Sequence, residues 1–127
     1  MDRKILATGA FFGMTAIILG AFGAHALKAN LSAEQLQTFE TGVKYQMYHA
    51  LLLLFVGIYS GISAKKKNVI FWLISAGIIM FSGSIYILAT NAIEGFNKII
   101  GPVTPLGGLL LIVGWLILLI DFLRQKS

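Results

Sequence analysis

The chain contains no cysteine, and this absence excludes disulfide bonds, thiolate metal sites, thiol nucleophiles and covalent haem attachment. Acidic residues are scarce, with 5 Asp and Glu against 10 Lys and Arg, and they are scattered along the chain. No pair of carboxylates falls within an apolar segment, where a general acid and base would be placed. The patterns G-x-S-x-G, H-E-x-x-H and the P-loop are also missing. We therefore expect a protein that is not an enzyme and that carries no cofactor.

Charge is low overall, whereas apolar residues are abundant. Of the 127 residues, 57% are hydrophobic and 12% are charged, against about a quarter charged in soluble proteins. This composition predicts an integral membrane protein, and the length predicts a single domain over residues 1–127. The net charge of +5 does not indicate nucleic-acid binding, because the basic residues flank apolar runs, where anionic lipid attracts them.

Four apolar runs, residues 5–27, 46–64, 69–90 and 105–122, are long enough at about 1.5 Å per residue to cross a hydrocarbon core of about 30 Å. The first run resembles a secretory signal, but it is longer than the usual ~7 to 15 apolar residues, so we interpret it as a retained span. The predicted fold class is therefore all-α, an integral membrane bundle of four transmembrane helices with a short amphipathic helix before the second span.

The amphipathic helix is predicted over residues 32–44, where apolar side chains recur on one helical face. Ser32 and Gln35 fit a capping box at its start. The helix either runs straight into the second span or bends at Gly42. Tyr45 and Tyr48 then lie at the height of the lipid headgroups, with His49 deeper.

The distribution of basic residues predicts the orientation in the membrane. Seven of the ten basic residues fall on the side of the two termini and the middle loop. The positive-inside rule assigns that side to the cytoplasm and residues 39–49 to the outer side. The seven are Arg3, Lys4, Lys65, Lys66, Lys67, Arg124 and Lys126.

Small residues indicate where helices approach closely, since lipid gives no hydrophobic drive for helix association. The first span carries a stripe that should face a neighbouring helix of this chain or of another subunit, and the second span carries a similar pair. The stripe consists of Gly9, Gly13, Ala16, Gly20 and Ala24, Gly23 is a further packing candidate of the first span, and the pair in the second span is Gly57 and Gly61.

The later spans contain further candidates for helix packing. Ser82, Gly83 and Ser84 form a polar cluster that suits a tight interface or, as the minority interpretation, a solute path. Beyond the Gly101-Pro102 breaker, Thr104 and Pro105 are predicted as the N-cap and first residue of the fourth span. In that span Gly108 is expected to allow close approach of a neighbouring helix, and Trp115 is expected to fill space opposite glycines. Arg124 is the expected partner of Asp121.

Four motifs resemble, in order and spacing, a known family. They are Gly20-Ala-Phe-Gly-Ala-His25-Ala-Leu, Tyr45-Gln-Met-Tyr-His49-Ala-Leu, Phe81-Ser-Gly-Ser84 followed by Tyr86, and Gly101-Pro-Val-Thr-Pro-Leu-Gly-Gly108 followed by Gly114-Trp115. They are similar to the YgdD/YwdK-like family of small bacterial inner-membrane proteins, a domain of unknown function. The resemblance implies a multi-pass protein of the plasma membrane and brings no catalytic residues.

The two histidines leave three functions open. His25 ends the first span and His49 begins the second on the same predicted side, and the connection is long enough to make them neighbours. They are either polar interface residues, or part of a proton or solute path in an oligomeric permease that Ser82 and Ser84 would also line, or ligands of haem, a metal or a quinone. We predict a non-enzymatic structural or interaction protein that contacts lipid and a second copy or another membrane protein.

Overall fold

The computed structural model describes residues 2–91, 95 and 97–125, and Lys126, one of the basic residues used to predict the orientation, lies outside this part. The described residues form five α-helices joined by turns, so the all-α prediction is confirmed for them. The helices are α1 (Asp2–Phe22), which continues into a π-helical turn over Gly23–Leu27, α2 (Ala33–Ile58), α3 (Ala64–Thr90), the short α4 (Asn97–Ile100) and α5 (Val103–Arg124).

Three segments of the described chain are long and apolar enough to cross a membrane: Asp2–Leu27, Ala64–Thr90 and Lys98–Arg124. The helix α2 is not one of them, because Lys44, Gln46 and His49 interrupt its apolar sequence. Three of the four predicted spans therefore meet the requirement of length and apolarity, and the four-span prediction is not confirmed.

The helix α2 combines the predicted amphipathic segment with most of the predicted second span. The helix is uninterrupted from Ala33 to Ile58, and the capping box of Ser32 and Gln35 at its start is confirmed. Its 26 residues extend about 39 Å, more than the hydrocarbon thickness of about 30 Å. The helix is therefore long enough to cross a hydrocarbon core and to extend beyond it.

The predicted end of the second span, at residue 64, is wrong. The helix α2 stops at Ile58, and Ser63 begins α3 by accepting a hydrogen bond from the Lys66 backbone N–H. Lys65 and the two lysines after it therefore form the first turn of α3 instead of a loop. The hydroxyl of Ser63 satisfies one of the free N–H groups that every helix start presents.

The long helices pack in chain order, with α1 against α2, α2 against α3, and α3 against α5. A core of buried aliphatic side chains runs through these contacts and includes Ile5, Leu53, Ile74 and Leu111, one from each of the four long helices. The pairs α1–α2 and α3–α5 are thus joined through the central contact of α2 with α3.

Thr104 is not the N-cap of α5, which corrects the prediction from sequence. The helix begins at Val103 after Pro102, and Pro105 occupies its third position, where a missing N–H is still harmless. The hydroxyl of Thr104 instead forms a hydrogen bond with the hydroxyl of Ser84. Thr104 therefore ties the start of α5 to the C-terminal part of α3.

Candidate functional site

A network of buried polar side chains connects α1, α2 and α3 around Gln46. The Gln46 side chain is only 4% exposed. Its Nε2 donates to the Phe12 carbonyl at 2.9 Å and to Thr15 Oγ1 at 2.7 Å, and its Oε1 accepts from the Tyr86 hydroxyl at 2.6 Å. One amide thus bonds to both neighbouring helices, and each of its two polar atoms has a partner inside the bundle.

The same face of α3 makes a second bond to α2. Ser82 Oγ donates to the carbonyl oxygen of Gly42 at 2.8 Å, and both residues are buried. The Gly42 carbonyl oxygen lies within α2 and accepts a hydrogen bond of that helix, so Ser82 donates to the second acceptor site of the same oxygen. Gly42 also lies against Tyr86 and Ile85, and a Cβ added there would come 2.7 Å from the Tyr86 ring. The serine and the glycine therefore belong to one tight helix contact.

His49 forms the polar link between α2 and α5. Trp115 Nε1 donates to His49 Nε2 at 3.0 Å, and His49 Nδ1 lies 2.7 Å from the Tyr45 carbonyl oxygen. Because the indole N–H can only donate, Nε2 acts as the acceptor and Nδ1 carries the proton that is donated to Tyr45. This imidazole is neutral and both of its nitrogens are occupied, so no lone pair is free for a metal or haem iron.

Trp115 does not fill space opposite glycines, as the sequence suggested. Its indole N–H is bonded to His49, and its ring lies half-exposed between α2 and α5. The glycines that approach α3 from α5 are Gly107 and Gly114, which are buried on another face of that helix.

His25 and His49 are not brought together. Gly13 packs against Met47 and Ala50, so His49 lies at the level of Gly13 on α1. His25 follows Gly13 by twelve residues, which corresponds to about 18 Å along a helix axis. His25 is exposed in the π-helical turn, and the described residues include no cluster of three or more His, Asp or Glu side chains that could hold a metal.

The small residues of the first two predicted spans, with the exception of Gly61, lie between α1 and α2. Gly9 is so close to α2 that an added Cβ would lie 3.0 Å from the Ala50 carbonyl oxygen, and Gly20 similarly faces Val43. The stripe therefore packs within this chain. Gly13 and Gly23 continue it, Gly23 against the Phe39 ring, and Gly57 faces Leu6 from the α2 side.

The remaining predicted site residues have different surroundings. A Cβ at Gly108 would meet the Phe81 ring at 3.5 Å, whereas a Cβ at Gly83 would meet nothing within 4 Å. Gly61 lies in the connection before α3, where its carbonyl accepts from Gln125 Nε2 at 3.2 Å. Tyr45 and Tyr48 are exposed on α2 with ring centroids 5.7 Å apart.

Ion pairs join the helix ends on the side of the predicted cytoplasm. Lys66 Nζ lies 2.6 Å from Asp121 Oδ1, and Lys67 Nζ lies 3.3 Å from Asp2 Oδ2. Gln125 donates to the other Asp121 oxygen at 2.9 Å. The expected pairing of Asp121 with Arg124 is wrong, because the start of α3 supplies a lysine from across the helix contact.

Sequence reasoning missed Gln46, Tyr86 and Lys67. A glutamine in an apolar segment is an available signal, since a polar side chain buried in a membrane protein needs a partner inside the bundle. The identity of that partner could not be predicted, because Gln46 bonds to residues 31, 34 and 40 positions away. The buried Lys67 was hidden in a run of three lysines that suggested uniform exposure.

The fold and the internal polar contacts define a small α-helical membrane protein. Residues 19–108 match the model of a family described as "protein of unknown function (DUF423)", and the chain belongs to this family. The broader prediction of a membrane family without known function is confirmed, while the YgdD/YwdK-like name stays a prediction. No solved structure matches this chain.

Several similar proteins come from staphylococci and carry the name "UPF0382 membrane protein". The chain is 51% identical over 118 residues to that of Staphylococcus saprophyticus, covering 93% of this chain and 95% of the relative. It is 47% identical over 118 residues to that of Staphylococcus aureus (93% of each) and 46% over 119 residues to that of Staphylococcus haemolyticus (94% of each). These relatives extend the similarity over nearly the whole chain and name a membrane protein without a stated activity.

Proposed function

We propose that this chain is a non-enzymatic protein of the plasma membrane, within the YgdD/YwdK-like group, with four spans and both termini in the cytoplasm. Its role is structural: it forms a stable helical body that contacts lipid and other membrane proteins, including further copies of itself.

The observation that carries the proposal is the pairing of the buried polar side chains with one another. Among the described residues, Ser75 Oγ is the one buried side-chain N or O atom without a hydrogen-bond partner. Active and transport sites need polar groups that converge on a space open to a substrate. Here Gln46, Ser82 and His49 are instead used to join helices.

The four-span topology is supported by the direction of the polar residues of α2. Gln46 and His49 lower the apolarity of this helix, but both side chains are bonded inside the bundle and are not exposed to lipid. A helix whose polar residues are paired internally can cross a membrane with a less apolar sequence. The excess of Lys and Arg at the termini and at the start of α3 supports the cytoplasmic assignment of that side.

The absence of cysteine makes the topology testable with single cysteines. Glu34→Cys at the start of α2 and Lys65→Cys at the start of α3 both replace exposed residues. In intact cells, a membrane-impermeant maleimide should label the first and not the second, and permeabilised cells should give both. Ala16→Cys, buried against α2, is the unlabelled control. Labelling of both exposed positions from one side would contradict the crossing by α2.

The structural role is tested in vesicles that contain the purified protein. We expect proton and ion gradients to decay at the rate of protein-free vesicles and the absorbance spectrum to lack haem or quinone bands. Cross-linking in the native membrane should give adducts of discrete mass. Accelerated decay of a gradient would replace the proposal with the permease interpretation, and a bound chromophore would replace it with the cofactor interpretation.

A further inference from the structure

Two aromatic rings of α3 hold a lysine of α1 at the end of the bundle where both helices begin. Lys4 Nζ lies 4.9 Å from the centroid of the Phe71 ring and 4.6 Å from that of the Trp72 ring. The face of an aromatic ring attracts a cation at such distances. At the same end, Lys67 Nζ of α3 lies 3.3 Å from Asp2 Oδ2 of α1. We call the surface formed by Lys4, Phe71 and Trp72 the Lys4–Trp72 surface.

The Lys4–Trp72 surface is open to the surroundings of the protein. Lys4 is exposed and Trp72 is 55% exposed, whereas Phe71 is buried. Within the described residues, the lysine side chains that donate hydrogen bonds are those of Lys66 and Lys67. An ammonium group carries three N–H donors, so those of Lys4 are available to an acceptor from outside the protein.

Positive charge exceeds negative charge at this end of the bundle. The acidic residues that the structure describes there are Asp2 and Asp121, and their partners are Lys67 and Lys66. The basic residues left without an ion pair in the described chain are Arg3, Lys4, Lys65 and Arg124. Charge complementarity therefore favours an anionic partner.

Apolar side chains continue from the Lys4–Trp72 surface towards the middle of the bilayer. Phe11 follows Lys4 by seven residues and Ile79 follows Trp72 by seven, so each lies on the same face of its helix and about 10 Å deeper. Phe11 is 55% exposed and Ile79 is 62% exposed. A charged group above two exposed apolar stripes fits an amphiphile, with its headgroup at the helix starts and its chains beside the stripes.

We propose that the Lys4–Trp72 surface binds the phosphate of a phospholipid whose headgroup has a net negative charge. Lys4 donates to the phosphate, and its contact with the two rings holds the ammonium in place. A zwitterionic phospholipid brings a second, positive group, which finds the ring faces taken by Lys4 and is repelled by the unpaired basic residues. Basic sites between membrane helices recognise anionic headgroups in this way.

The selectivity distinguishes this site from the lipid that covers any exposed apolar helix face. The proposal specifies the contact with lipid that belongs to the proposed function, and it rests on the location of α1 and α3 in the membrane. Its failure would remove the site and leave the structural role intact, whereas ion leakage or a bound chromophore would remove that role and leave the site intact.

Trp72 can report on the lipid at the site, because the chain has 2 tryptophans and Trp115→Phe leaves Trp72 alone. This protein is placed in vesicles of phosphatidylcholine that contain increasing fractions of one dibrominated lipid, either phosphatidylglycerol or phosphatidylcholine. Bromine quenches tryptophan only at contact distance. We expect half-maximal quenching by phosphatidylglycerol at about one fifth of the fraction that phosphatidylcholine needs, the effect of one basic residue on an anionic lipid.

The other tryptophan provides the control for contact with lipid in general. Trp72→Phe leaves Trp115, which lies on α5 and is 49% exposed. Both brominated lipids should quench Trp115 at the same fraction. Inorganic phosphate should weaken the preference of Trp72 no more than chloride of equal ionic strength does, since both act by screening.

Three lysine variants separate the site from the general attraction of anionic lipid to a basic surface. Each is compared with itself in the two brominated lipids, so an altered emission of Trp72 cancels. Lys4→Gln should abolish the preference for phosphatidylglycerol, and Lys4→Arg should keep it, because arginine keeps both the charge and the contact with the rings. Lys65→Gln removes the same charge from an exposed position at the start of α3 and should keep most of the preference.

Four results would overturn the proposal. They are equal quenching of Trp72 by the two lipids, a preference that survives in Lys4→Gln, an equal loss in Lys4→Gln and Lys65→Gln, and displacement of the lipid by inorganic phosphate beyond the effect of chloride. The third result would assign the preference to the overall charge of this end, and the fourth would assign the site to a free anion.

Discussion

Replacement of Gln46 by leucine should weaken the bundle more than any other single exchange of a polar side chain for an apolar one of similar size. The exchange removes three hydrogen bonds between helices, to Phe12, Thr15 and Tyr86. Interhelical bonds in membranes contribute about 0.6 kcal/mol each on average, so their loss lowers the free energy of unfolding by about 2 kcal/mol.

The polar groups that lose Gln46 as a partner determine how much further the free energy of unfolding falls. Thr15 keeps its bonds to the carbonyls of its own helix, but the part-buried Tyr86 hydroxyl loses the bond that it donates to Gln46. An unpaired buried hydroxyl costs about 1 to 3 kcal/mol. The total loss is therefore about 3 to 5 kcal/mol. Adding Tyr86→Phe to Gln46→Leu should recover about 1 kcal/mol, because the unpaired hydroxyl is removed.

The free energy of unfolding can be measured by reversible denaturation in mixed micelles, with far-UV circular dichroism as the signal. Gln37→Leu is the matched control, because it makes the same exchange at an exposed position of α2 and should change stability by at most about 0.5 kcal/mol. If Gln46→Leu is no less stable than this control, the network does not hold the helices together and the reasoning is refuted.

Two further predictions concern the contact of α5 with α3. Gly107→Ala should destabilise the protein by about 1 to 3 kcal/mol in the same assay, because the added Cβ would collide with the α3 backbone. The control Gly83→Ala adds a Cβ in open space and should be neutral or stabilising by up to about 1 kcal/mol. Equal effects of the two exchanges would contradict the close approach of α5 to α3. Asp121→Asn should lower the thermal midpoint by removing the charge paired with Lys66, and the difference should shrink in high salt, since screening weakens the pair that it removes. A salt-independent difference would show that the carboxylate acts by its hydrogen bonds alone.

The helices themselves could be predicted from sequence because apolar length and charged ends are local properties. The capping box of Ser32 and Gln35 needs residues only three positions apart, and it is confirmed. The predicted second span ended six residues beyond α2 because Tyr59 to Ser63 carries no charge. The break between α2 and α3 depends on Ser63, which caps the start of α3.

Partners across helix contacts could not be predicted, since they depend on how the helices rotate against one another. Asp121 was assigned to Arg124 on the same helix, but Lys66 lies closer through the packing of α3 on α5. Similarly, Trp115 was assigned to glycines, although its indole N–H is bonded to His49 on α2. In each case the correct partner is more than fifty residues away in sequence.

Gln46 and His49 lower the apolarity of α2, and the same two residues bond this helix to its neighbours in the bundle. Apolar surface gives little drive for association in lipid, so helices that must hold one orientation need close contacts and directed bonds. On α2, Gly42 and Gly57 supply the close contacts, while Gln46 and His49 supply bonds to α1, α3 and α5. A more apolar α2 would cross lipid more easily and would lose the bonds that fix its rotation. The low apolarity of this helix is therefore what a central helix of this bundle requires.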